Sequence, residues 1–117
     1  MDGGRISTHR ALRFWHDVTM SIVRDHDTDL TARQLAVLLA VYLETPPHTV
    51  RGLAAKLDVA KPVITRALNT LGGLGLVDRR RDINDKRNVL VQRTVAGAEY
   101  LDRLAMTLQG EARKLVL

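Results

Sequence analysis

The sequence contains no cysteine. Disulfide frameworks, thiol redox switches and zinc-finger sites are therefore excluded. Long apolar runs are missing too. The longest spans residues 35–43, well short of the roughly 20 residues a helix needs to cross a bilayer. The opening residues, Met-Asp-Gly-Gly-Arg, carry no apolar stretch of the kind a secretory signal requires, so a soluble, cytoplasmic protein is expected.

Catalytic chemistry is equally thin. Serine occurs only as Ser7 and Ser21, and no carboxylate pair stands in a recognisable setting. The glycine cluster Gly72-Gly-Leu-Gly75 lacks the lysine of a phosphate-binding loop and reads as a turn. No enzyme and no cofactor is expected. The histidines His9, His16, His26 and His48 read as solvent-facing. His9 and His16 can share a helix face, but without carboxylate or thiol ligands they make a poor metal site. Phe14, Trp15 and Tyr42 read as filling the core between the first two helices, with the lining of an effector pocket as the other option.

Positive charge is what the chain does have, and it is concentrated. Lysine and arginine number 18 against 13 acidic residues, a net charge of +5. Residues 45–93 hold ten of the basic side chains and four of the acidic ones, so this segment carries +6 and the remainder −1. A localised positive surface attracts polyanions, nucleic acid foremost.

Periodicity organises the chain into helix, helix, helix, helix, hairpin, helix. The first helix starts at Ser7 or Thr8 and runs to about residue 24, with Leu12, Trp15, Val18, Thr19, Ile22 and Val23 as its apolar stripe. Thr31 and Gln34 form a capping box, and Leu30 with Leu35 has the spacing of a hydrophobic staple. The helix they open is apolar on all faces through Leu43, which predicts burial on every side. Val50, Leu53, Ala54 and Leu57 mark a third helix. After the turn at Asp58-Val-Ala60, the residues Ile64, Ala67, Leu68 and Leu71 mark a fourth, with Pro62 in its first turn. Two short helices around a tight turn form a helix-turn-helix. Lys61, Pro62, Val63, Thr65, Arg66 and Asn69 then point away from the core. One of Gly72, Gly73 and Gly75 is expected in the left-handed position that ends the fourth helix. Residues 76–81 and 88–93 read as two strands joined by the turn chemistry of 82–87. Thr94 caps a last helix striped with Leu101, Leu104, Ala105, Leu108, Ala112 and Leu115.

With these residues in view, the chain resembles the MarR family of winged-helix transcription regulators. The likeness rests on Leu53-Ala-Ala-Lys-Leu-Asp-Val59, Val63-Ile-Thr-Arg66, Leu71-Gly-Gly-Leu-Gly-Leu-Val-Asp-Arg79, the wing Asp82-Ile-Asn-Asp-Lys-Arg87 and Thr94-Val-Ala-Gly97. It covers about residues 31–101. The implied fold is mainly α with a small β-hairpin wing: a winged helix-turn-helix with flanking N- and C-terminal helices. A single domain is expected over 1–117, with its core at 31–94 and flanking helices at about 7–24 and 95–116. The resemblance further implies a homodimer on double-stranded DNA, with the recognition helix in the major groove. Arg87 would reach toward the minor groove and Asp85 would stabilise the wing. Dimerisation through the first and last helices falls on Leu12, Trp15, Leu101, Leu104, Leu108 and Leu115. Many members bind phenolic or other small acids, so the resemblance leaves a small-molecule effector open, without further support from the residues.

The sequence departs from the family pattern in three places. Ala60 stands where a serine often opens the recognition helix, Arg93 stands where an apolar residue is usual, and one terminal helix replaces a longer one or a pair. For phosphate contacts the residues favoured are Arg79, Arg80, Arg81, Lys86 and Arg87 on the hairpin, with Arg51, Lys56 and Lys61 on the helices. Strand alternation keeps the three consecutive arginines from all facing DNA, so Arg80 or the Arg79/Arg81 pair is expected to pair with Asp78 or Asp82. Base readout is expected from Arg66, then Thr65 and Asn69. Val63 either touches a thymine methyl or merely packs at the helix start. The reading is a sequence-specific DNA-binding regulator, by default a repressor. The alternatives are a winged-helix protein-interaction module and an architectural protein with little sequence preference.

Overall fold

The computed structural model describes residues 5–25 and 29–116. The elements in order are α1 (Thr8–Arg24), α2 (Ala32–Leu43), β1 (His48–Thr49), α3 (Val50–Leu57), α4 (Lys61–Gly73), β2 (Val77–Arg81), β3 (Val89–Arg93) and α5 (Val95–Val116). They divide into two compact units, one of Met1–Asp29 with Leu101–Leu117 and one of Leu30–Tyr100.

Local side-chain chemistry sets the helix boundaries of the second unit. At the start of α2 the Thr31 hydroxyl accepts the Gln34 N–H at 3.1 Å, and the Gln34 side chain accepts the Thr31 N–H at 2.9 Å. This is the capping box expected from the sequence. Thr49 does half of the same work for α3, accepting the Gly52 N–H at 2.9 Å. Helices α3 and α4 end alike. At α3 the Val59 N–H returns to the Ala54 carbonyl and the Asp58 N–H to Ala55, with Asp58 at φ 56. At α4 the Leu76 N–H returns to Leu71 and the Gly75 N–H to Gly72, with Gly75 at φ 76. Both satisfy carbonyls that a helix end leaves open. Gly75 is thus the glycine that takes the left-handed position. Asp58 holds the same conformation because a short polar side chain tolerates it better than a branched one.

The core of this unit is built where α4 packs on α2 and α3. Val37, Leu38, Val41, Leu53, Ile64, Leu68 and Leu71 are fully buried there. The sheet adds Val77 and Val91. It has three strands, not the two of a hairpin, in the order β1-β3-β2. In β1, His48 pairs with Val91 and Thr49 with Leu90, both antiparallel.

Three sequence expectations need correction. Helix α2 is not buried on every side: Ala36 is exposed and Leu43 is 78% exposed. Its apolar composition exceeds what this unit covers. His48 does not face solvent. It is buried in β1, with Nε2 3.2 Å from the Glu44 carbonyl, because pairing with β3 turns it inward. Trp15 does not fill a core, being 52% exposed. His9 and His16 are exposed as expected, and His26 lies outside the described residues.

One phenol joins three segments of this unit: α2, the turn before β2 and the junction of β3 with α5. The Tyr42 hydroxyl accepts the Thr94 N–H at 2.9 Å and shares its own proton between the carbonyls of Thr94 (2.9 Å) and Leu76 (3.1 Å). The Thr94 hydroxyl accepts the Gly97 N–H at 3.0 Å, capping α5, and donates to the Gly75 carbonyl at 2.7 Å. A Cβ on Gly97 would fall onto the Tyr42 hydroxyl and the Leu76 carbonyl, so only glycine fits there. Arg93 completes the cluster. Its Nε donates to the Val41 carbonyl at 3.0 Å, another guanidinium nitrogen donates to Glu44, and the guanidinium lies 5.8 Å over the Tyr42 ring. A cation thus caps the last turn of α2, where the helix dipole favours it.

In the first unit, Ser7 caps α1 by accepting the Arg10 N–H at 3.2 Å. The Arg10 guanidinium donates to the Leu115 carbonyl, and Lys114 pairs with Glu111 at 3.0 Å. Val18 is buried, whereas Leu12, Trp15, Val23 and Met106 present apolar surface.

Tyr42→Phe is expected to lower stability by about 1–2 kcal/mol, since it strands a part-buried N–H. Gly97→Ala should cost about 2–3 kcal/mol through overpacking. Urea unfolding of the double variant should show less than the summed cost, because removing the hydroxyl frees part of the space the new methyl needs. Additive costs would contradict this geometry.

Candidate nucleic-acid interface

Helix α4 divides cleanly into two faces. Ile64, Ala67, Leu68 and Leu71 are buried, while Lys61, Pro62, Thr65, Arg66 and Asn69 are exposed and Val63 is half-buried. Apart from Pro62 in the first turn, the exposed set is polar and basic. Its N-terminus is open. Ala60 occupies the N-cap position and makes no side-chain bond, Pro62 lies in the first turn, and the Val63 N–H bonds only to the Ala60 carbonyl at 3.0 Å. Pro62 removes one donor that would otherwise need a partner.

The wing stands on the same unit. Val77 is buried, and Asp78, Arg79, Arg80 and Arg81 are all exposed. Both faces of β2 are therefore open beyond its first residue, and the strand does not hide alternate arginines. Arg80 pairs with Asp78 at 3.5 Å, which is one of the two pairings anticipated. Arg79 and Arg81 keep exposed side chains.

The loop from β2 to β3 is shaped by two aspartates. The Asp82 carboxylate accepts the Asn84 N–H at 2.9 Å, and the Asp85 carboxylate accepts the Arg87 N–H at 3.1 Å. The Asp82 N–H donates to the Asn88 carbonyl at 3.1 Å and the Asn88 N–H to the Asp85 carbonyl at 2.9 Å, which closes the loop. Asp85 also grips the Arg87 side chain. Nε meets one carboxylate oxygen at 3.1 Å and a terminal guanidinium nitrogen meets the other at 3.2 Å. The remaining N–H groups of Arg87 stay outward, on a side chain 79% exposed. These bonds, to the Arg87 side chain first and then to its N–H, hold the Asp85 carboxyl below its ordinary pKa, and the charge of Arg51 adds to the effect. Arg51 is itself exposed, on α3. Lys56, by contrast, pairs with Glu44.

The residues anticipated for DNA and those anticipated for dimerisation separate between the two units. Lys61 through Asn69, Arg51 and the wing lie in the second. Leu12, Trp15, Leu101, Leu104, Leu108 and Leu115 lie in the first, where Leu12 and Trp15 are exposed and the leucines of α5 half-buried. The sequence reading gave no role to two residues of the second unit. Arg93, at the end of β3, bonds to the last turn of α2, and Ile83 stands at the loop tip, 90% exposed. The signal for Ile83 was a lone branched aliphatic inside a run of turn-forming residues. Among the described residues no group of His, Cys, Asp or Glu could hold a metal ion, and no helix is long and apolar enough to cross a membrane.

A sequence profile of the MarR family matches residues 28–88, more than half of the chain. The chain belongs to the MarR family. Its fold, five helices with a small antiparallel sheet among the described residues, is that of the family's winged-helix DNA-binding transcription regulators. Among solved structures, a transcriptional regulator from Thermotoga maritima is 25% identical, with a TM-score of 0.72 over 91% of this chain and 73% of that one. The YusO protein of Bacillus subtilis gives a TM-score of 0.76 at 16% identity, over 89% of this chain and 71% of its own. MepR of S. aureus, in its complex with DNA, gives 0.72 at 18% identity, over 92% and 82%. No curated protein sequence matches the chain.

Two tests follow for this MarR-family surface. Ala60→Ser should raise stability by about 1 kcal/mol by supplying the missing cap to the Val63 N–H, and a lowered urea midpoint would contradict that reading. The wing's pH dependence follows from Asp85, whose carboxyl is lowered from 3.8 in the fold. A lowered pKa means that its contribution is complete above 3.8 and lost only as pH falls below it through the folded value. The Arg87 Nε–H resonance should therefore move to its free position below pH 3.8; a transition centred above that value would contradict the clasp.

Proposed function

We propose that the chain is a sequence-specific transcription regulator that binds duplex DNA as a homodimer, with α4 in the major groove and the wing along the backbone and minor groove. One observation carries this reading. The polar, basic exposed face of α4 and a wing rich in exposed arginines stand on one compact unit. An α-helix fits the major groove, whose edges distinguish all four base pairs.

Within this reading the roles divide by chemistry. Arg66 is the principal base reader, suited to two parallel bonds with a guanine, and Thr65 and Asn69 are secondary readers. Val63, half-buried, packs at the helix start and offers a methyl group to thymine. Lys61, with Pro62 beside it, approaches the backbone at the open helix N-terminus, where anions are favoured. Arg79, Arg81, Lys86, Arg87 and Arg51 contact phosphates, and Arg87 extends into a narrow minor groove while Asp85 holds its base. The apolar residues Leu12, Trp15, Leu101, Leu104, Leu108 and Leu115 pair with a second copy. Two copies related by a two-fold axis read an inverted repeat. Occupying such a site in a promoter blocks polymerase, so repression is the simplest outcome. No catalytic role is proposed, and the protein acts where DNA is, in the cytoplasm.

The test is fluorescence polarisation against the DNA flanking the protein's own gene and a random duplex, at two salt concentrations. Wild type should prefer the flanking DNA at both. Arg66→Ala should lose roughly ten- to hundredfold on the flanking DNA and little on the random duplex. Arg87→Ala should weaken both and flatten the salt slope by about one. Equal affinities that collapse together with salt would favour an architectural role, and no binding to either duplex would favour a protein-interaction module.

A further inference from the structure

The wing tip carries a side chain that the electrostatic reading leaves unused. Ile83 is 90% exposed, the highest value among the large apolar side chains of the described residues. Its place in sequence is unfavourable by local rules. Turns favour Gly, Pro, Asn, Asp and Ser, and Ile83 interrupts such a run between Asp82 and Asn84. A residue that breaks local preference without a packing gain is a sign of a functional demand. Nor does Ile83 hang on an unstructured loop. The bonds from Asp82 to the Asn84 N–H and from the Asp82 N–H to Asn88 fix the backbone on either side of it.

The surroundings say what it meets. Lys86 and Arg87 follow it, Arg81 precedes it, and the carboxylates of Asp82 and Asp85 are already engaged by N–H groups and by Arg87. The tip is thus one aliphatic group flanked by cations. The minor groove of a duplex is complementary to that arrangement. Phosphates line its rims, and deoxyribose carbons and base edges form its walls and floor. At about 6 Å wide it excludes a helix but admits a single side chain. Aliphatic residues are a recurrent means of contact there.

We infer that Ile83 is an apolar minor-groove contact, seated between the cationic arms of the wing and selecting steps whose groove floor carries no guanine amino group. The inference rests on the proposal that the wing binds DNA. It differs in its physics. Burying an aliphatic side chain releases no counterions, so its share of the affinity is independent of salt. Selectivity arises because a G·C pair places the guanine amino group on the groove floor, where an aliphatic side chain strips its water and offers no acceptor. A·T pairs present no such group.

Alternating duplexes of A·T, G·C and I·C pairs test this, because inosine removes the amino group while leaving the major-groove edge of the G·C pair. Wild type, Ile83→Ser and Ile83→Leu are titrated against each at several salt concentrations. Wild type should prefer the A·T and I·C duplexes. Ile83→Ser should lose about five- to tenfold on those two, little on G·C, and keep the wild-type salt slope; Ile83→Leu should stay near wild type. Ile83→Ser binding all three duplexes as wild type does would overturn the inference and leave the DNA reading standing. A loss accompanied by a salt slope shallower by about one would also overturn it, because Ile83 would then act by placing a cation. Failure of wild type to bind any duplex would remove the DNA reading and this inference together.

Discussion

The arrangement of the second unit depends on a single hydroxyl. Tyr42, on the last turn of α2, bonds to both backbone groups of Thr94 and to the Leu76 carbonyl. Those partners are the entrance to the wing and its exit. Fixing them together sets where β2 leaves and where β3 returns, and so where the loop at 82–87 stands relative to α4. The requirement that no Cβ exist at residue 97 follows from the same closeness. Arg93 reinforces it from the other side by capping α2 and covering the tyrosine ring. A basic residue where family members usually carry an apolar one is thus accounted for by structure and needs no role in binding.

Against this rigid base, the exposed surface is chemically simple. It has a helix face of one lysine, one arginine, a threonine and an asparagine, and a strand with three arginines in succession. Their energetic value in isolation is small, because exposed charges are well solvated. On the proposed reading, their collective value would come from standing together opposite a polyanion, where each neutralised phosphate releases counterions. Arg80, tied to Asp78, would then contribute least to that sum.

What was legible in the sequence was local. The Thr31–Gln34 box, the Thr94 cap, the proline at the start of α4 and a left-handed glycine after it each depend on residues within a few positions, and each stands as read. The two faces of α4 follow from helical spacing, and so were legible too. What was not legible depends on distant partners. Strand β1 is two residues long, and only its pairing with Val91 and Leu90 makes it a strand. The same pairing buries His48, a residue that composition places outside. Leu43 and Trp15 are apolar yet exposed, because composition states what a residue prefers and not whether the fold supplies a cover. The family resemblance implied that Asp85 stabilises the wing; that its carboxylate does so by bonding the Arg87 N–H and side chain was not legible. Ile83 was passed over because turn chemistry explains its neighbours and not itself.

The clasp has a thermodynamic side. Ordering an arginine side chain costs up to about 2 kcal/mol of rotamer freedom. With Asp85 holding Nε and a terminal nitrogen, much of that freedom is given up when the wing folds, before any partner arrives. A partner then meets a guanidinium already aimed, and the carboxylate beside it cancels most of its long-range field. For the polyanion proposed above, Arg87 would therefore be a weak lure and a well-formed tooth, adding little to the rate of capture and more to how long a correctly shaped partner stays.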